Sequence, residues 1–379
     1  FGLLPDISSY ANIMTRFFFF LLTVLILVLV ARAIAPVGSQ SPAAQSTESR
    51  PGSVILLWAD GAGVGHWTLA NAAVDELAIH RMPVSGLIET AGFDHEVTAS
   101  AASATAIATG VRSFVGAVGV GPDSLPRETV LEVAHALGWS TGLVTTASIA
   151  DATPAAFASH FPSRRQYVEI LQQMTDLPVT VLLGGGMRVL EGEGIDLRSE
   201  LGDRYTIVLD SAELAQVISD TTTTLFGLFA PGEMPPATER SPTLPEMTRA
   251  ALAVLQRDPD GFFLMVENEG SDTYAHRNLA RDVIVNEMLT FDAAVEVALE
   301  YHSRHPETLI LVTADHETGG MHLTGNEIRD IVLGYATTGH TAALVPIFAI
   351  GPGAEHFGGL RRNDEVGQAL LALVRPPTP

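Results

Sequence analysis

The chain of 379 residues contains no cysteine, which excludes a disulfide scaffold, thiol catalysis, Cys-ligated zinc and a lipidated N-terminal cysteine. It contains no lysine either, all 21 basic side chains being arginine. A P-loop nucleotide hydrolase needs a lysine on the phosphates and a Schiff-base enzyme needs one for covalent chemistry, so both classes fall away. Positive charge is scarce overall: 43 acidic residues leave a net charge of −22. Such a surface repels nucleic acid and draws in cations. With 47% apolar and 17% charged residues, the composition is that of a globular protein with ample chain for a large core.

The longest hydrophobic run, Phe17 to Ala31, is broken only by Thr23, follows Arg16 and ends in Ala31-Arg32-Ala33-Ile34-Ala35. It falls short of the ~20 residues that comfortably span a bilayer, and the A-x-A exit reads as a signal peptide cleaved near Ala33 to Ala35. The expectation is an exported protein, periplasmic or extracellular, that meets a membrane only through an uncleaved leader. Met14, directly before the run, reads as the start of translation. Residues 36–52 are polar and Pro/Ser-rich without periodicity, which predicts a disordered tether. A single catalytic domain is expected over 53–379.

In that body, short apolar runs alternate with amphipathic stretches. Val54–Trp58, Gly142–Thr146, Val179–Leu183, Tyr205–Leu209, Phe262–Val266, Thr308–Val312 and Leu344–Ile350 read as buried strands. Between them Thr243-Leu244-Pro245-Glu246 has capping-box spacing, and Ile284, Met288, Phe291, Val295 and Leu299 form a helical stripe. The order predicts an α/β fold: a doubly wound, mostly parallel sheet with helices on both faces.

Four of these strands end in residues that bind metals. Asp60, Asp151 with Thr153, Glu267, and Asp315-His316 each follow a run, and in open α/β sheets the crevice beyond the carboxyl ends of the strands is where sites form. Any one of them reads more simply as a helix cap or turn former; four at one edge do not. Asp272 and His276, four apart on one helical face, can share an ion, whereas His340 in Thr337-Thr338-Gly339-His340-Thr341 taken alone reads as a loop histidine. Asp and His donors suit Zn²⁺, while Asp, Glu, Thr hydroxyl and water suit Mg²⁺. The segment Val97 to Ala106 is small at nearly every position and offers Ser100 at a helix N-terminus, although local composition alone reads as a buried Ala/Ser helix without chemistry.

In chain order, Asp60-Gly61-Ala62-Gly63, Thr98 to Thr109, Asp151-Ala152-Thr153-Pro154 with Arg164, Glu267-x4-Asp272-x3-His276, Thr313-Ala314-Asp315-His316-Glu317 and Gly339-His340-Thr341 together resemble the bacterial alkaline phosphatase family over about Val54 to Gly359. The resemblance implies hydrolysis of small phosphate monoesters by two zinc ions and one magnesium ion, and it leaves a homodimer open. It implies Asp272, His276 and His340 for one zinc, Asp60, Asp315 and His316 for the other, and Asp60, Thr153 and Glu267 for magnesium, with Asp151 holding magnesium-bound waters. Ser100 is similar to the family's nucleophile and Arg164 to its phosphate-clamping guanidinium.

The sequence departs from that pattern in two places. Ala99 stands where bacterial members commonly carry Asp, so Arg164 is expected to lack a restraining carboxylate. The stretch Asn268-Glu269-Gly270-Ser271 is unusual, and Thr273 replaces a Lys, His or Trp. The rival readings are a phosphodiesterase of the same superfamily and a catalytically silent metal- or phosphate-binding module. A sulfatase is discounted because Ser124-Leu125-Pro126-Arg127 lacks the required spacing. Residues 187–242 carry no recognisable motif. Of the remaining histidines, only His160 and His322 lie near the site motifs.

Overall fold

The computed structural model describes residues 50–376 apart from 193, 195, 220, 328 and 329. The leader, the candidate start Met14 and most of the tether lie outside the described residues. The last three residues expected in the tether belong to the fold instead. Arg50 donates to the carbonyls of Leu373 and Val374, Pro51 is buried, and the Gly52 N–H donates to Glu307 O at 2.9 Å. An arginine on the last carbonyls of a C-terminal helix complements the negative end of its dipole, which fixes residues 50–52. Among the described residues no helix is long and apolar enough to cross a membrane.

Ten strands form one sheet: β1 (Ser53–Ala59), β2 (Val84–Glu89), β3 (Ser140–Ser148), β4 (Val181–Gly185), β5 (Thr206–Val208), β6 (Leu225–Leu228), β7 (Phe262–Asn268), β8 (Thr308–Thr313), β13 (Val345–Ile350) and β14 (Gly359–Arg362). Their spatial order is β14-β2-β13-β8-β1-β7-β3-β4-β6-β5. Only β13 runs against the rest. The central strands β1, β7 and β8 are buried at every position, as their Val/Ile/Leu/Phe-rich sequences require of strands covered on both faces. All seven strands expected from sequence are present. β2, with its alternating burial, the four-residue β6 and the exposed edge strand β14 were not expected, because none presents a continuous apolar run. Outside the sheet, β9 (Glu317–Thr318) pairs with β12 (His340–Thr341), and β10 (His322–Glu327) with β11 (Asp330–Gly334).

The helices that position the site are α1 (Val64–Ala73), α2 (Ser100–Thr109), α3 (Ala152–Ala158), α4 (Leu244–Leu255), α5 (Gly270–His276), α6 (Arg281–Arg304) and α7 (Asn363–Val374). α4 starts in the expected capping box, Thr243 and Glu246 each accepting from the other's backbone N–H. α6 buries the expected stripe of Ile284, Met288, Phe291, Val295 and Leu299. α2 is buried at all ten positions and packs against α3, itself almost entirely Ala, Thr and Pro. Small side chains allow that close approach. Three of the four hydroxyls it buries are satisfied: Ser103 donates to Asp315 O at 2.9 Å, Thr105 to Ala117 O at 3.1 Å and Thr109 to Thr105 O at 2.7 Å. Gly110 closes the helix at φ +70°, a left-handed conformation suited to glycine.

Candidate active site

The strands carrying the ligand-type residues are four consecutive members of the sheet, β8-β1-β7-β3. Register places Trp58 of β1 beside Glu267 of β7 and Thr313 of β8, and Glu267 beside Thr145 of β3. Asp60, Glu267, Asp315 and Thr153 therefore emerge along one edge. The turn after β1 is tight: Gly61 lies at φ +67°, and a Cβ there would stand 2.7 Å from Asp272 Oδ1. Its N–H donates to Asp315 Oδ1 at 3.0 Å, so this glycine lets the ends of β1, β8 and α5 close on one another.

Asp272, His276 and His340 bring ligand atoms within 4.8 Å of one another. The ring Nδ1 of His276 lies 2.6 Å from Thr338 O and that of His340 lies 2.8 Å from Thr98 O. Both must donate there, so both Nε2 atoms carry lone pairs. Those two atoms face each other at 3.0 Å, with Asp272 Oδ2 3.2 Å from His276 Nε2. Three acceptors converging this closely repel unless a cation or proton lies between them, and they match the donor set and spacing of a zinc site. Asp272 accordingly holds the His276 imidazolium up to about 9 in pKa. Burial pushes the Asp272 carboxyl upward, but hydrogen bonds from His276 and Thr318 outweigh it and keep it well below the usual range.

The second group is fully buried. His316 Nε2 lies 3.2 Å from Asp315 Oδ2 and 3.7 Å from Asp60 Oδ1. Among the described residues none of these three atoms has a hydrogen-bond partner, nor has Asp60 Oδ2. Thr318 sets the tautomer, since its hydroxyl donates to Asp272 Oδ1 and lies 3.2 Å from His316 Nδ1, which donates back. The residue thus ties the first group to the second, a role no sequence motif disclosed. The β9/β12 pairing stacks His340 on His316 with ring centroids 3.6 Å apart.

The third group consists of oxygen donors. Asp60, Glu267 and Glu269 bring carboxylate oxygens within 4.8 Å of one another. Thr145 donates to Glu267 Oε2 at 2.5 Å while Glu267 Oε1 and the buried Thr153 hydroxyl are left without partners. Burial raises the Glu267 carboxyl to about 8, and burial with the neighbouring carboxylates raises Asp60 and Glu269 well above their usual range. Such a cluster takes up either protons or cations.

Ser100 stands at the first turn of α2, 6% exposed, in the wall of a polar cavity of about 490 Å³ shared with Arg164, Asp272, His276, His340 and Glu269. Ala99 supplies no capping side chain, which leaves the positive helix end for an anion. Ser103, the neighbouring hydroxyl, is fully buried and committed to the Asp315 carbonyl. A second cavity of about 440 Å³, at the amino ends of β3, β4 and β6, is lined by His135, Trp139 and Arg257 among others and holds none of the site residues.

The expectation that Arg164 lacks a restraining carboxylate is overturned. Its Nη2 donates to Asp151 Oδ1 at 2.6 Å, and although burial opposes the charge, Asp151 raises the guanidinium pKa above its ordinary range. Asp151 also faces the oxygen-donor group, its charge helping to raise the Glu267 and Glu269 carboxyls, while the turn into α3 aims its Oδ1 at the arginine and lets it accept from Ala152 N–H. Behind the cavity lies a group that the sequence did not reveal. Arg240 pairs with Glu287 at 3.0 Å, both 1% exposed, and donates to Asn268 Oδ1 at 3.2 Å and Pro235 O at 3.1 Å. Glu287 Oε1 accepts from Ala237 N–H at 2.7 Å.

A family model of alkaline phosphatase matches residues 53–332. The chain belongs to the alkaline phosphatase family. It is 32% identical to the alkaline phosphatase of Escherichia fergusonii, with 85% of each chain covered, and 32% identical to streptomycin-6-phosphate phosphatase of Streptomyces griseus, with 88% of this chain and 94% of the relative covered. The alkaline phosphatase of the Antarctic bacterium TAB5 superposes with a TM-score of 0.79 at 30% identity, over 86% of this chain and 98% of its own. This alkaline phosphatase family member is accordingly an enzyme that hydrolyses phosphate monoesters, built on the family's α/β fold.

Proposed function

We propose that the protein hydrolyses phosphate monoesters through a phosphoserine formed on Ser100, using two zinc ions and one magnesium ion. Asp272, His276 and His340 would hold one zinc, Asp60, Asp315 and His316 the other, and Asp60, Thr153 and Glu267 the magnesium. One observation carries this reading: the buried, unpartnered lone pairs of Asp60, Asp315, His316, Thr153 and Glu267 lie behind a cavity walled by Ser100 and Arg164. Unpaired buried acceptors cost about 1–3 kcal/mol each, so their accumulation fits residues arranged for cations. A variant of the TAB5 enzyme has a structure with magnesium bound in its M3 site.

Bound cations supply a stabilised serine alkoxide, an activated water and neutralised charge on the departing oxygen. The chain's own residues do the rest. Ser100 Oγ attacks phosphorus in line; its bond to phosphorus forms as the ester P–O bond breaks, and water later cleaves the phosphoserine. Arg164 offers a planar fork to two phosphoryl oxygens, oriented from behind by Asp151. No lysine exists in the chain to replace it.

The test compares release from p-nitrophenyl phosphate with release from its bis-ester, and traps labelled phosphate on the protein. Monoester turnover, label on Ser100 and a loss of at least about 10³-fold in Ser100→Ala are expected. Label on Ser103, or preference for the diester, overturns the reading. The leader is proposed to direct export. Intact mass of secreted protein beginning between Arg32 and Pro36 supports that, and retention of Phe17 to Val30 on membrane-bound enzyme refutes it.

A further inference from the structure

The unusual stretch after Glu267 places Glu269 among the oxygen donors. β7 ends at Asn268, and Glu269 is the N-cap of α5, so the chain turns back over Asp60 within two residues of Glu267. Its backbone is pinned, the N–H donating to Thr146 Oγ1 of β3 at 2.9 Å, while Asn268 is gripped by Arg240 at 3.2 Å. Its side chain is held as well: Thr273 Oγ1 donates to Glu269 Oε1 at 3.2 Å, the shorter of its two carboxylate contacts, the other being Glu233 Oε2 at 3.5 Å. The result is a third carboxylate within 4.8 Å of Asp60 and Glu267. Around that point Asp60 (0% exposed) has two oxygens without a hydrogen bond, and Thr153 (2%) and Glu267 (1%) one each. The Arg164 guanidinium, within electrostatic reach of Glu269 and Asp60, gives its hydrogen bond to Asp151.

We infer that Glu269 is a ligand of the hard cation at this site, giving it three carboxylates and a threonine hydroxyl, and that Thr273 is the residue that holds Glu269 in position. This rests on the magnesium assignment proposed above. It follows from the geometry that the site binds its cation by direct carboxylate charge from Glu269, while Asp151, whose charge also reaches Glu267 and Glu269, is hydrogen-bonded to the phosphate-binding arginine. Charge count at an oxygen site sets affinity for Mg²⁺, Mn²⁺ and Ca²⁺, and loss of one such group weakens binding by at least about tenfold.

The experiment is equilibrium dialysis of the zinc-loaded protein against Mg²⁺, with Mn²⁺ and its paramagnetic resonance as a second probe, on parent, Glu269→Gln, Thr273→Val and Asp151→Asn. Expected are two zinc ions retained in all four, a Mg²⁺ dissociation constant raised at least about tenfold in Glu269→Gln and several-fold in Thr273→Val, and a smaller change in Asp151→Asn than in Glu269→Gln. Unchanged Mg²⁺ and Mn²⁺ affinity in Glu269→Gln overturns the inference while the magnesium assignment stands. A parent protein that binds zinc but neither Mg²⁺ nor Mn²⁺ overturns both. Loss of zinc in Glu269→Gln would show the residue to serve the zinc groups, and overturns the inference too.

Discussion

Two clusters of buried charge meet at the end of β7, one through Glu267 and the other through Asn268. In the Arg240–Glu287 cluster every guanidinium nitrogen and both carboxylate oxygens have protein partners. In the Asp60–Asp315–His316–Glu267 cluster five side-chain atoms have none among the described residues. Burial is equally complete in both, so desolvation does not distinguish them. What differs is closure. The first is complete as protein and braces the β7–α5 turn; the second leaves lone pairs open, as the proposed cation binding requires. Satisfied and unsatisfied buried charge thus separate support from chemistry without reference to any motif.

Removing the cations should have the largest effect, because it acts only on the open cluster. Chelation is expected to abolish turnover and lower the unfolding temperature, with zinc and magnesium together restoring more than zinc alone. The loss should grow with pH. Glu267 and His276, raised to about 8 and about 9, hold their protons more tightly when folded. Their contribution to cation-free stability is therefore full below their unfolded values of about 4.3 and 6.5 and falls as pH rises through the folded ones, by on the order of a few kcal/mol for the buried Glu267 and by much less for the solvent-screened His276. Urea unfolding of stripped and reloaded protein between about pH 5 and 9 checks this; equal pH dependence in both forms would break the contrast.

Opening the closed cluster should come next. Arg240→Met alone leaves Glu287 buried and unpaired, at a cost of about 3–5 kcal/mol, whereas Arg240→Met with Glu287→Leu is expected to cost much less. Denaturant midpoints of the single and double variants decide it. A double variant as unstable as the single would show that the pair is not self-contained.

These clusters differ in legibility as well. Asp60, Glu267, Asp315 and Thr153 could be read from sequence because each follows a strong apolar run, and His276 because it lies one helical turn after Asp272. Arg240 could not be read: it sits in a motif-poor segment, and a fully buried arginine runs against every compositional expectation. Glu269 was visible only as an oddity between two motifs. The restraint on Arg164 was sought one residue before Ser100, at Ala99, where the family places it. The chain supplies it from Asp151, 13 residues before the arginine, through a turn whose direction no periodicity encodes. The parallel sheet was legible from its buried centre, and its polar or short strands β2, β6 and β14 were not.

The Arg164–Asp151 pair lies between the extremes, partly exposed and closed by one carboxylate. Asp151→Asn should weaken inhibition by inorganic phosphate by about two- to tenfold, since a partly exposed pair contributes about 0.2–1 kcal/mol and somewhat more when charge-assisted. The inhibition constant measures it, and an unchanged value would mean that the fork needs no brace. The smallest effect belongs to His160, which bridges Glu132 Oε1 at 2.8 Å and Gly119 O at 2.7 Å. Burial lowers the His160 pKa, but the Glu132 hydrogen bond outweighs it and raises it; burial raises Glu132, and His160 outweighs that and lowers it. Their contribution is therefore full between about pH 4.5 and 6.5 and fades as pH rises through the histidine's raised value. His160→Gln should cost below about 1 kcal/mol near pH 6 and less near pH 9.

The β9/β12 pairing delivers His340, near the end of the chain, onto a ring whose first member, Asp60, follows the first strand of the sheet. A contact of such sequence separation forms late, since a long loop must close before the contact rewards it. Assembly of the first group therefore waits on the C-terminal part of the chain. A chain still being made already carries the carboxylates of the sheet edge, and the first group closes only once the strand bearing His340 has been added.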